Sequence, residues 1–582
     1  MDNIKSSKSK YNVENVLSEE KGKHTGVSTI VDAQNLDVKC GFGRCRPGFL
    51  QYFNNAKIML TVMCFVVFTQ GFVVNGVMNV IVSTLERRFQ LQSTQVAYTL
   101  SAYDFTAAIV GLFVSYFGSG RYKPRLLTMG TVFLLLGSVV LAIPHFTTGR
   151  YEWGESDTSI CQTGTNETST ALCEPSGLQR YLGVFVLSNV LFGIGGATLY
   201  SVGTAYIDDG VSSVSSPFYM GMYFGFAAFG PGIGFVIGGL FLSSYVDVDV
   251  VDPEKITLSP LDSRWVGAWW IGPLLSAGML FVGALAISCF GAELPSAKSV
   301  RENRENQLHK GTLDAFEITE PQRPPLKALP KIYLGLFKNP PFLFTTLAGI
   351  TEGFVLGGVG SFGAKFLQTM FRVSSSRAGI MFGAIAVVGL AGGISFGGFI
   401  CRCLRLRVAG MLRTSLIVCF LGILCSGVFW MSCGQTNLAG LHSSYLDNAE
   451  PFGALQSSCN ADCSCTTAKF EVLCYDFNVQ YISPCFAGCR IEQDMEYSNC
   501  SCVPTKDNGT MSNVAQGSCD SNCPLLYPFL ALMLLGIFFT AAADVPAEQA
   551  VLRSIHENHK SIMCGTNRFF IRLLGTIPGG VV

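Results

Sequence analysis

The chain has 582 residues, of which 49% are hydrophobic and only 14% are charged. A soluble protein carries roughly 25% charged residues, so this composition favours a membrane protein. Lysine plus arginine equals aspartate plus glutamate at 40 each, so no net positive charge argues for a nucleic-acid partner.

Apolar runs long enough to cross a bilayer recur along the chain. We predict full spans near 58–82, 95–117, 126–145, 180–206, 218–243, 265–290, 342–366, 377–400, 411–432 and 524–545. A last apolar run, 569–582, makes about 21 Å of helix, which is too short for a hydrocarbon core of roughly 30 Å. The sequence therefore predicts an all-α polytopic membrane protein with ten full spans and a partial eleventh.

The distribution of basic residues predicts the orientation of the chain. The segments before the first span and between spans two and three, six and seven, and eight and nine are rich in lysine and arginine. By contrast, the 90 residues from Gly434 to Cys523 contain only Lys469, Arg490 and Lys506. Because basic loops stay on the cytoplasmic side, we expect the N-terminus inside and this long loop outside.

Ten of the 22 cysteines lie in that loop. They are Cys459, Cys463, Cys465, Cys474, Cys485, Cys489, Cys500, Cys502, Cys519 and Cys523. No C-x2-C pair of the zinc-ribbon kind occurs among them, so we predict five disulfides of open pairing and no metal site. Disulfides need an oxidising compartment, which agrees with an outside loop.

The predicted outside loops contain a further possible disulfide and three glycosylation sequons. Cys161 and Cys173 share the first long outside loop and could form a further bridge. The glycosylation sequons begin at Asn166, Asn499 and Asn508, all in loops predicted to be outside. The cysteines inside spans are interpreted as small apolar residues. These are Cys64, Cys289, Cys419 and Cys425.

The predicted organisation follows from these segments. It comprises a cytoplasmic tail (1–57), a first six-helix half (58–290), a cytoplasmic linker (291–340), spans seven to nine (341–432), an outside loop (433–523) with a cysteine module at about 457–523, and a last part (524–582) with span ten and a partial span eleven.

A tryptophan-rich segment precedes the sixth span, with the sequence DSRWVGAWWIGPLL. Its characteristic residues are Asp262, Arg264, Trp265, Gly267, Trp269, Trp270 and Gly272. On physical grounds alone, paired tryptophans at this position are interpreted as anchors of a helix at the depth of the lipid headgroups. The full string is more specific, because it resembles the signature of the organic anion transporting polypeptides, solute carriers with a major facilitator fold.

The cysteine module is the second mark of that family. Residues 472–489 resemble a Kazal-type domain, although Tyr475–Asn478 departs from its usual glycine turn, and the module lies between the ninth and tenth spans as in the family. The resemblance runs from about Cys40 to Gly580 and is nearest to the branch that handles thyroid hormones, steroid conjugates and cardiac glycosides.

The resemblance implies a function. It predicts a sodium-independent secondary carrier of large amphipathic organic anions such as steroid conjugates, thyroid hormones, bile-salt-like or prostaglandin-like compounds. Two six-helix halves would alternate access across the plasma membrane, without enzymatic activity or a cofactor. The family has twelve spans and this chain ends within the eleventh, so the alternative is a truncated, non-transporting surface protein whose Kazal-like module binds proteases or partners.

Four ionisable residues within spans are candidates for the transport path, because such residues are costly in a bilayer. Lys365 in the seventh span and Arg572 in the last apolar run match basic positions that the family uses for substrate. Asp104 in the second span resembles an acidic site that implies proton or bicarbonate coupling, and Glu352 is a second buried acid. The alternatives are that Lys365 extends to the membrane surface and Arg572 caps a helix.

Two basic pairs are weaker candidates. Arg87 and Arg88 follow the first span and would attract anions at the outer mouth, unless they only end a helix in solvent. Arg121 and Arg125 lie in the loop between spans two and three, which resembles a degenerate major facilitator gating motif.

Overall fold

The structure is a computed structural model of the chain. It describes residues 39–41, 46–119, 122–151, 177–251, 265–291, 294–295, 297–302, 325–371, 373, 375–433, 437–441, 445, 455–463, 465, 472–475, 479–493, 496–503, 514–516, 523–555 and 559–581.

Long helices dominate the described residues. In chain order they are α1 (Ala56–Phe89), α2 (Ser93–Phe117), α3 (Lys123–Thr147), α4 (Gly177–Gly210), α5 (Ser216–Leu242), α6 (Ile271–Ser288), α7 (Pro340–Phe371), α8 (Ser375–Cys403), α9 (Val408–Trp430), α10 (Leu526–Arg553) and α11, which is built from Lys560–Ile571, Arg572–Thr576 and Ile577–Val581. Within the described residues, ten helices are long and apolar enough to cross a membrane. The chain is therefore a multi-pass membrane protein, as predicted.

Apolar side chains on the outer surface of the bundle explain why it needs a bilayer. Val236 and Leu240 of α5 and Ile380 of α8 are exposed. Such a surface is stable against lipid tails but not against water, and the backbone groups behind it are satisfied within each helix. Three shorter helices lie in the segments before α1 and between α6 and α7: Gly48–Gln51, Ala297–Glu302 and Leu329–Phe337.

The bundle has two ends, which we name by their loops. The basic side carries the α2–α3, α4–α5, α8–α9 and α10–α11 connections, and the module side carries the cysteine module between α9 and α10. We call α1–α6 the first half and α7–α11 the second half.

Helix α11 begins earlier than the sequence predicts. Its three segments contain 12, 5 and 5 residues, which together make about 30 Å of helix rather than 21 Å. The prediction that this helix starts at 569 was wrong, because Lys560, Ser561 and Thr566 in its first turns are buried against protein rather than lipid. A hydropathy argument does not detect a helix whose polar face is covered by neighbouring helices.

Glycines bring the two halves into backbone contact. A Cβ atom on Gly398 of α8 would lie 2.4 Å from the carbonyl oxygen of Pro217 in α5, and one on Gly565 of α11 would lie 2.3 Å from Oγ of Ser115 in α2. Side chains larger than hydrogen do not fit at either position. The glycines thus fix how closely the halves approach in this conformation.

The cysteine module contains a small six-stranded sheet. Its strands are β1 (Asn437–Leu438), β2 (Leu473–Tyr475), β3 (Val479–Tyr481), β4 (Ile491–Gln493), β5 (Glu496–Ser498) and β6 (Val514–Gln516), in the order β1-β3-β2-β6-β5-β4. Among the described strands, β1–β3 is the parallel pair and the other pairs are antiparallel. Tyr481 lies at the core of the module, where burial raises the pKa of its hydroxyl group, which donates to the Cys502 carbonyl oxygen at 3.0 Å.

Disulfides hold the module together, as predicted, but not all of them pair within the predicted set. The internal bridges include Cys459–Cys502, Cys465–Cys485 and Cys489–Cys500, and Cys463 and Cys474 are also disulfide-bonded. Cys523 instead bonds to Cys433, which the sequence argument did not include. The expectation of five bridges within the ten cysteines was wrong at this position, because Cys433 and Cys523 lie at the adjoining ends of α9 and α10.

A second bridge contradicts the sequence argument in two ways: it uses a cysteine interpreted as a small apolar residue, and it places a disulfide on the basic side, which the sequence predicts to face the reducing cytoplasm. Cys289, interpreted as a small apolar residue of a span, is bonded to Cys40 on the basic side. The side chain of Gln51 holds Cys40 in place by accepting from its backbone N–H at 3.0 Å and donating to its carbonyl oxygen at 2.6 Å, and Gly41 donates to the Cys289 carbonyl at 2.8 Å. The other three, Cys64, Cys419 and Cys425, are free thiols, in keeping with their interpretation.

The Cys40–Cys289 bridge can be tested directly. In membranes prepared with N-ethylmaleimide present, Cys289 is expected to stay unlabelled in the unsubstituted chain and to be labelled in Cys40→Ser, because that substitution leaves Cys289 as a free thiol. Mass spectrometry of the Cys289 peptide measures this, and Cys64→Ser serves as the control that leaves Cys289 unlabelled. Labelling of Cys289 in the unsubstituted chain without reductant would contradict the bridge.

Candidate functional site

Two arginines on one face of α11 form the centre of a polar cluster in the bundle. Arg568 and Arg572 are four residues apart, so their side chains lie one above the other on the helix. Arg572 is the first residue of a π-helical segment, Arg572–Thr576. Such segments widen a helix locally and occur frequently at functional sites.

Arg572 forms an ion pair with Asp104 of α2 through its Nη1 atom. Its Nη2 atom lies 3.5 Å from the hydroxyl oxygen of Tyr103, and its guanidinium carbon lies 5.0 Å from the centre of the Tyr103 ring. The structure thus brings together Asp104 and Arg572, which the sequence singled out separately. The pair crosses from the first half to the second.

A chain of hydrogen bonds fixes Tyr103. Gln70 of α1 donates through Nε2 to the Tyr103 hydroxyl at 3.1 Å, and Tyr200 of α4 donates to Oε1 of Gln70 at 2.8 Å. A Cβ atom on Gly196 of α4 would lie 2.6 Å from the Tyr103 hydroxyl oxygen, so a glycine is needed there. Three helices of the first half therefore hold the groups that face Arg572.

Arg568 has a different set of partners. Its Nη2 atom lies 3.0 Å from Oε2 of Glu548 in α10. Its guanidinium carbon lies 5.3 Å from the Phe224 ring centre and 5.9 Å from that of Tyr200. The two rings are nearly parallel, with centres 6.3 Å apart. Arg568 is therefore bound to a carboxylate of its own half and lies beside aromatic rings of the first half.

Two more acids extend the cluster on the second-half side. Glu352 of α7 lies beside Asp544 of α10, close enough for their carboxyl groups to hydrogen-bond, and both are near Arg568. The predicted acid Glu352 is thus part of the same cluster as the predicted Arg572.

The cluster combines the groups that an amphipathic anion requires. Guanidinium groups bind carboxylate and sulfate oxygens through charge-assisted hydrogen bonds, and aromatic rings accommodate an apolar body. The Arg568 side chain keeps 34% exposure and that of Arg572 keeps 16%, so part of each remains accessible.

Lys365 is not brought to this cluster. It is exposed on α7, about 18 Å of helix beyond Gly353, a residue whose Cβ atom would contact Ile571 and Thr576 of α11. The neighbouring residue Phe366 packs on Phe529 at the module side. Lys365 therefore lies near the module-side end of the bundle.

The weaker basic candidates contact protein. Arg88 is buried, donates to the Gly149 carbonyl oxygen at 2.5 Å and lies over the Tyr151 ring, whereas Arg87 is exposed and donates to the Trp265 carbonyl at 3.4 Å. On the basic side, the exposed Arg125 lies over its neighbour Tyr122.

A second polar cluster connects the two halves on the basic side. Lys560 of α11 forms an ion pair with Asp208 of α4 at 2.7 Å, with side-chain exposures of only 4% and 3%. Ser216 of α5 donates to Asp208 at 2.5 Å, and Gln549 of α10 donates to the Ser216 hydroxyl at 2.9 Å. This buried network joins four helices.

The loop that resembles a gating motif adds contacts on the same side through Lys123 and Gly118. Lys123 forms an ion pair with Asp209, whose second oxygen lies 3.7 Å from Nζ of Lys560. Ser561 donates to the carbonyl oxygen of Gly118 at 3.1 Å.

The tryptophans of the signature segment pack inside the protein. Trp269 is 1% exposed, with its ring centre 5.8 Å from that of Phe89 and 6.2 Å from that of Phe185. Trp270 stacks on His145 with ring centres 4.4 Å apart. The Trp269 ring does not face lipid headgroups, because it packs against helices α1 and α4.

The glycines of the segment allow close contact. A Cβ atom on Gly267 would lie 2.2 Å from the Leu242 carbonyl oxygen, and one on Gly272 would lie 2.7 Å from a methyl group of Val77. Trp265 donates through Nε1 to the same Leu242 oxygen at 2.9 Å. In this structure the signature joins the module-side ends of the first-half helices.

This packing predicts a large stability difference between two tryptophans. Trp269→Ala is expected to lower the free energy of unfolding by about 3–5 kcal/mol, because it leaves a cavity among aromatic rings. Trp430→Ala is expected to cost far less, since Trp430 is 92% exposed. Thermal unfolding in detergent, followed by size-exclusion fluorescence, compares them. Equal loss in both variants would contradict the packing role.

Some predicted residues lie outside the described residues. They are Arg121, Cys161, Asn166, Cys173, Asp262, Arg264, Asn508 and Cys519. Asn499 is described and has a left-handed backbone, with φ 55°. Its glycosylation stays a prediction.

Sequence reasoning missed several members of the central cluster. Gln70, Tyr103 and Tyr200 are polar residues within apolar spans, and that contrast is the signal that could have identified them. Arg568 and Glu548 both lie in the stretch 546–568, for which the sequence predicts a loop between span ten and the last apolar run. Two ion-paired residues on neighbouring helices cannot be matched without knowledge of the helix packing.

Comparison with known proteins agrees with the signature. Residues 58–582 match the model of the Organic Anion Transporter Polypeptide (OATP) family. Solute carrier organic anion transporter family member 4A1 of Mus musculus is 35% identical over 558 residues, covering 93% of this chain and 76% of the relative. Member 4C1 of Mus musculus is 33% identical over 556 residues with the same coverage, and member 2B1 of Rattus norvegicus is 30% identical over 561 residues, covering 88% and 80%.

Solved transporters share lower similarity with the chain. The major facilitator superfamily transporter FucP in the outward conformation has a TM-score of 0.49 at 12% identity, covering 90% of this chain and 91% of that one. The human organic anion transporter MFSD10 (TETRAN) has a TM-score of 0.43 at 14% identity, covering 90% and 92%. By the family match over residues 58–582 and the identity to its relatives, the chain belongs to the organic anion transporter polypeptide family.

Proposed function

We propose that this chain is a sodium-independent secondary transporter of large amphipathic organic anions in the plasma membrane. Its substrates would be steroid conjugates, thyroid hormones or compounds of similar shape and charge. The observation that supports this most is the placement of Arg568 and Arg572 inside the bundle, next to the rings of Tyr103, Tyr200 and Phe224.

The proposed binding mode follows from that chemistry. The anionic group would bind the guanidinium groups, where the low dielectric strengthens the electrostatic attraction. The apolar body would pack on the aromatic rings of the first half. Since cations and rings come from different halves, one ligand would contact both.

We propose that transport proceeds by alternating access between the two halves. In this mechanism the buried Lys560–Asp208 network would hold the basic side closed. The glycine contact between Gly398 and Pro217 provides a close surface on which the halves could rock. With the N-terminus cytoplasmic, the structure would represent a state closed toward the cytoplasm.

Uptake of tritiated estrone sulfate into cells that express the chain tests the proposal. We expect saturable uptake, normalised to surface-biotinylated protein, that is equal in sodium and choline media and absent with empty vector. Absence of uptake despite normal surface display would overturn the transport proposal and favour the surface-protein alternative.

A further inference from the structure

The two arginine ion pairs of the central cluster differ in what they connect. The Arg568–Glu548 pair joins α11 to α10 and lies within the second half. The Arg572–Asp104 pair joins α11 to α2 and therefore ties the second half to the first. If the two halves move as rigid bodies, the Arg568–Glu548 pair can stay intact. The Arg572–Asp104 pair lies across the boundary between the halves and would have to break.

The first-half side of the Arg572 pair is firmly held. Tyr103, next to Asp104 on α2, is fixed by Gln70, which in turn binds Tyr200. These bonds connect α1, α2 and α4 at the level of Asp104. The carboxylate of Asp104 is thus presented to Arg572 by a pre-organised group of residues.

Asp104 offers Arg572 the same chemical group that a carboxylate or sulfate substrate would offer. An arginine side chain has a limited fork of N–H donors, so an incoming anion must share or replace the bonds that Asp104 accepts. An ion pair in a low dielectric is costly to break without a substitute. A substrate anion is such a substitute for Arg572, and Asp104, whose side chain is 27% exposed, costs less to leave unpaired than a fully buried carboxylate.

We propose that Asp104 competes with the substrate anion for Arg572, and that displacement of Asp104 by the anion breaks the ion pair that connects the two halves. This inference rests on the proposed transport function. It assigns the Arg572–Asp104 pair a double role: it lowers the apparent affinity for anions, and it holds the halves together until an anion arrives. The empty carrier then rocks slowly and the loaded one rapidly.

Two native cysteines report the opening of the basic side without new substitutions. Cys564 of α11 is a buried free thiol next to Gly565, which packs on Ser115 across the boundary between the halves. Cys403 at the end of α8 is an exposed free thiol and serves as the internal standard. The ratio of N-ethylmaleimide labelling at Cys564 to that at Cys403, measured by mass spectrometry of membrane vesicles, follows separation of α11 from α2.

The test compares Asp104→Asn with the matched variant Glu548→Gln, which neutralises the carboxylate of the pair within one half. In the parent, estrone sulfate is expected to raise the labelling ratio by about fivefold or more, the usual lower range of coupling between sites. In Asp104→Asn, the ratio is expected to be high without substrate, and the KM for uptake is expected to fall by about fivefold. Glu548→Gln is expected to keep a ratio that depends on substrate.

Other outcomes separate the two proposals. If the parent transports but Asp104→Asn shows the parent's labelling ratio and an unchanged or raised KM, the competitor role is overturned while the transport function stands. If the parent itself shows neither uptake nor a labelling response, the transport function fails first. Asp104→Glu keeps the carboxylate, so it is expected to retain a substrate-dependent ratio; a high ratio without substrate in this variant also overturns the inference.

Discussion

Arg572→Gln is expected to lower kcat/KM for estrone sulfate uptake by about a hundredfold, with unchanged surface expression. The substitution keeps a polar side chain but removes the cation, and charge-assisted bonds to a buried anion contribute about 1.5–3 kcal/mol each. A loss of about 3 kcal/mol of binding free energy corresponds to a decrease of roughly a hundredfold in kcat/KM. The kcat/KM of Arg572→Lys should lie between that of the unsubstituted chain and that of Arg572→Gln, because lysine keeps the charge but not the planar fork of donors.

Lys365→Gln is the matched control for Arg572, since it removes a cation from an exposed position on α7. We expect its kcat/KM to stay within about twofold of the parent, the range of an ordinary surface substitution. Should Lys365→Gln reduce uptake as much as Arg572→Gln, the substrate path would have to include the module-side end of α7. Full uptake by Arg572→Gln would remove this arginine from the site.

Lys560→Met is expected to open the basic side and to abolish most uptake. Removing one partner of a buried ion pair leaves Asp208 with an uncompensated charge, which costs about 3–5 kcal/mol. That cost falls only on conformations in which the basic side is closed, so the equilibrium shifts away from them. The labelling ratio of Cys564 to Cys403 should rise without substrate, and uptake should fall to near background.

Two comparisons make this prediction specific. The double variant Lys560→Met with Asp208→Asn removes both charges, so closure and uptake should return in part. Lys123→Met removes the partner of the more accessible Asp209 and should have the smaller effect. A labelling ratio in Lys560→Met equal to that of the parent would show that the network does not hold the basic side closed.

Much of the architecture could be predicted from local sequence because a bilayer imposes strict rules on the chain. Each of the first ten spans is a long apolar run, and every polar backbone group within it must be satisfied by its own helix. The first turns of helix α11 could not be predicted in this way, because their polar residues Lys560 and Ser561 are covered by α2 and α4 rather than by lipid. The sequence does not state which polar faces are covered by neighbouring helices.

The candidate site could be predicted only in part for the same reason. Asp104 and Arg572 stood out because a charge in an apolar run is costly, yet nothing in the sequence indicated that they neutralise each other. Tyr103 and Tyr200 are ordinary helix residues until packing places them beside the arginines. Likewise, Cys40 and Cys289 are separated by 249 positions, and only the packing of the chain before α1 against the end of α6 makes them neighbours.

The bridge between Cys433 and Cys523 has a consequence for engineering. It holds the two points at which the chain leaves and re-enters the bundle at a Cα–Cα distance of 6.3 Å. An extended linker of about three residues covers that distance. The segment 434–522, which contains the cysteine module, can therefore be replaced by a short glycine linker without rearrangement of the helices on either side.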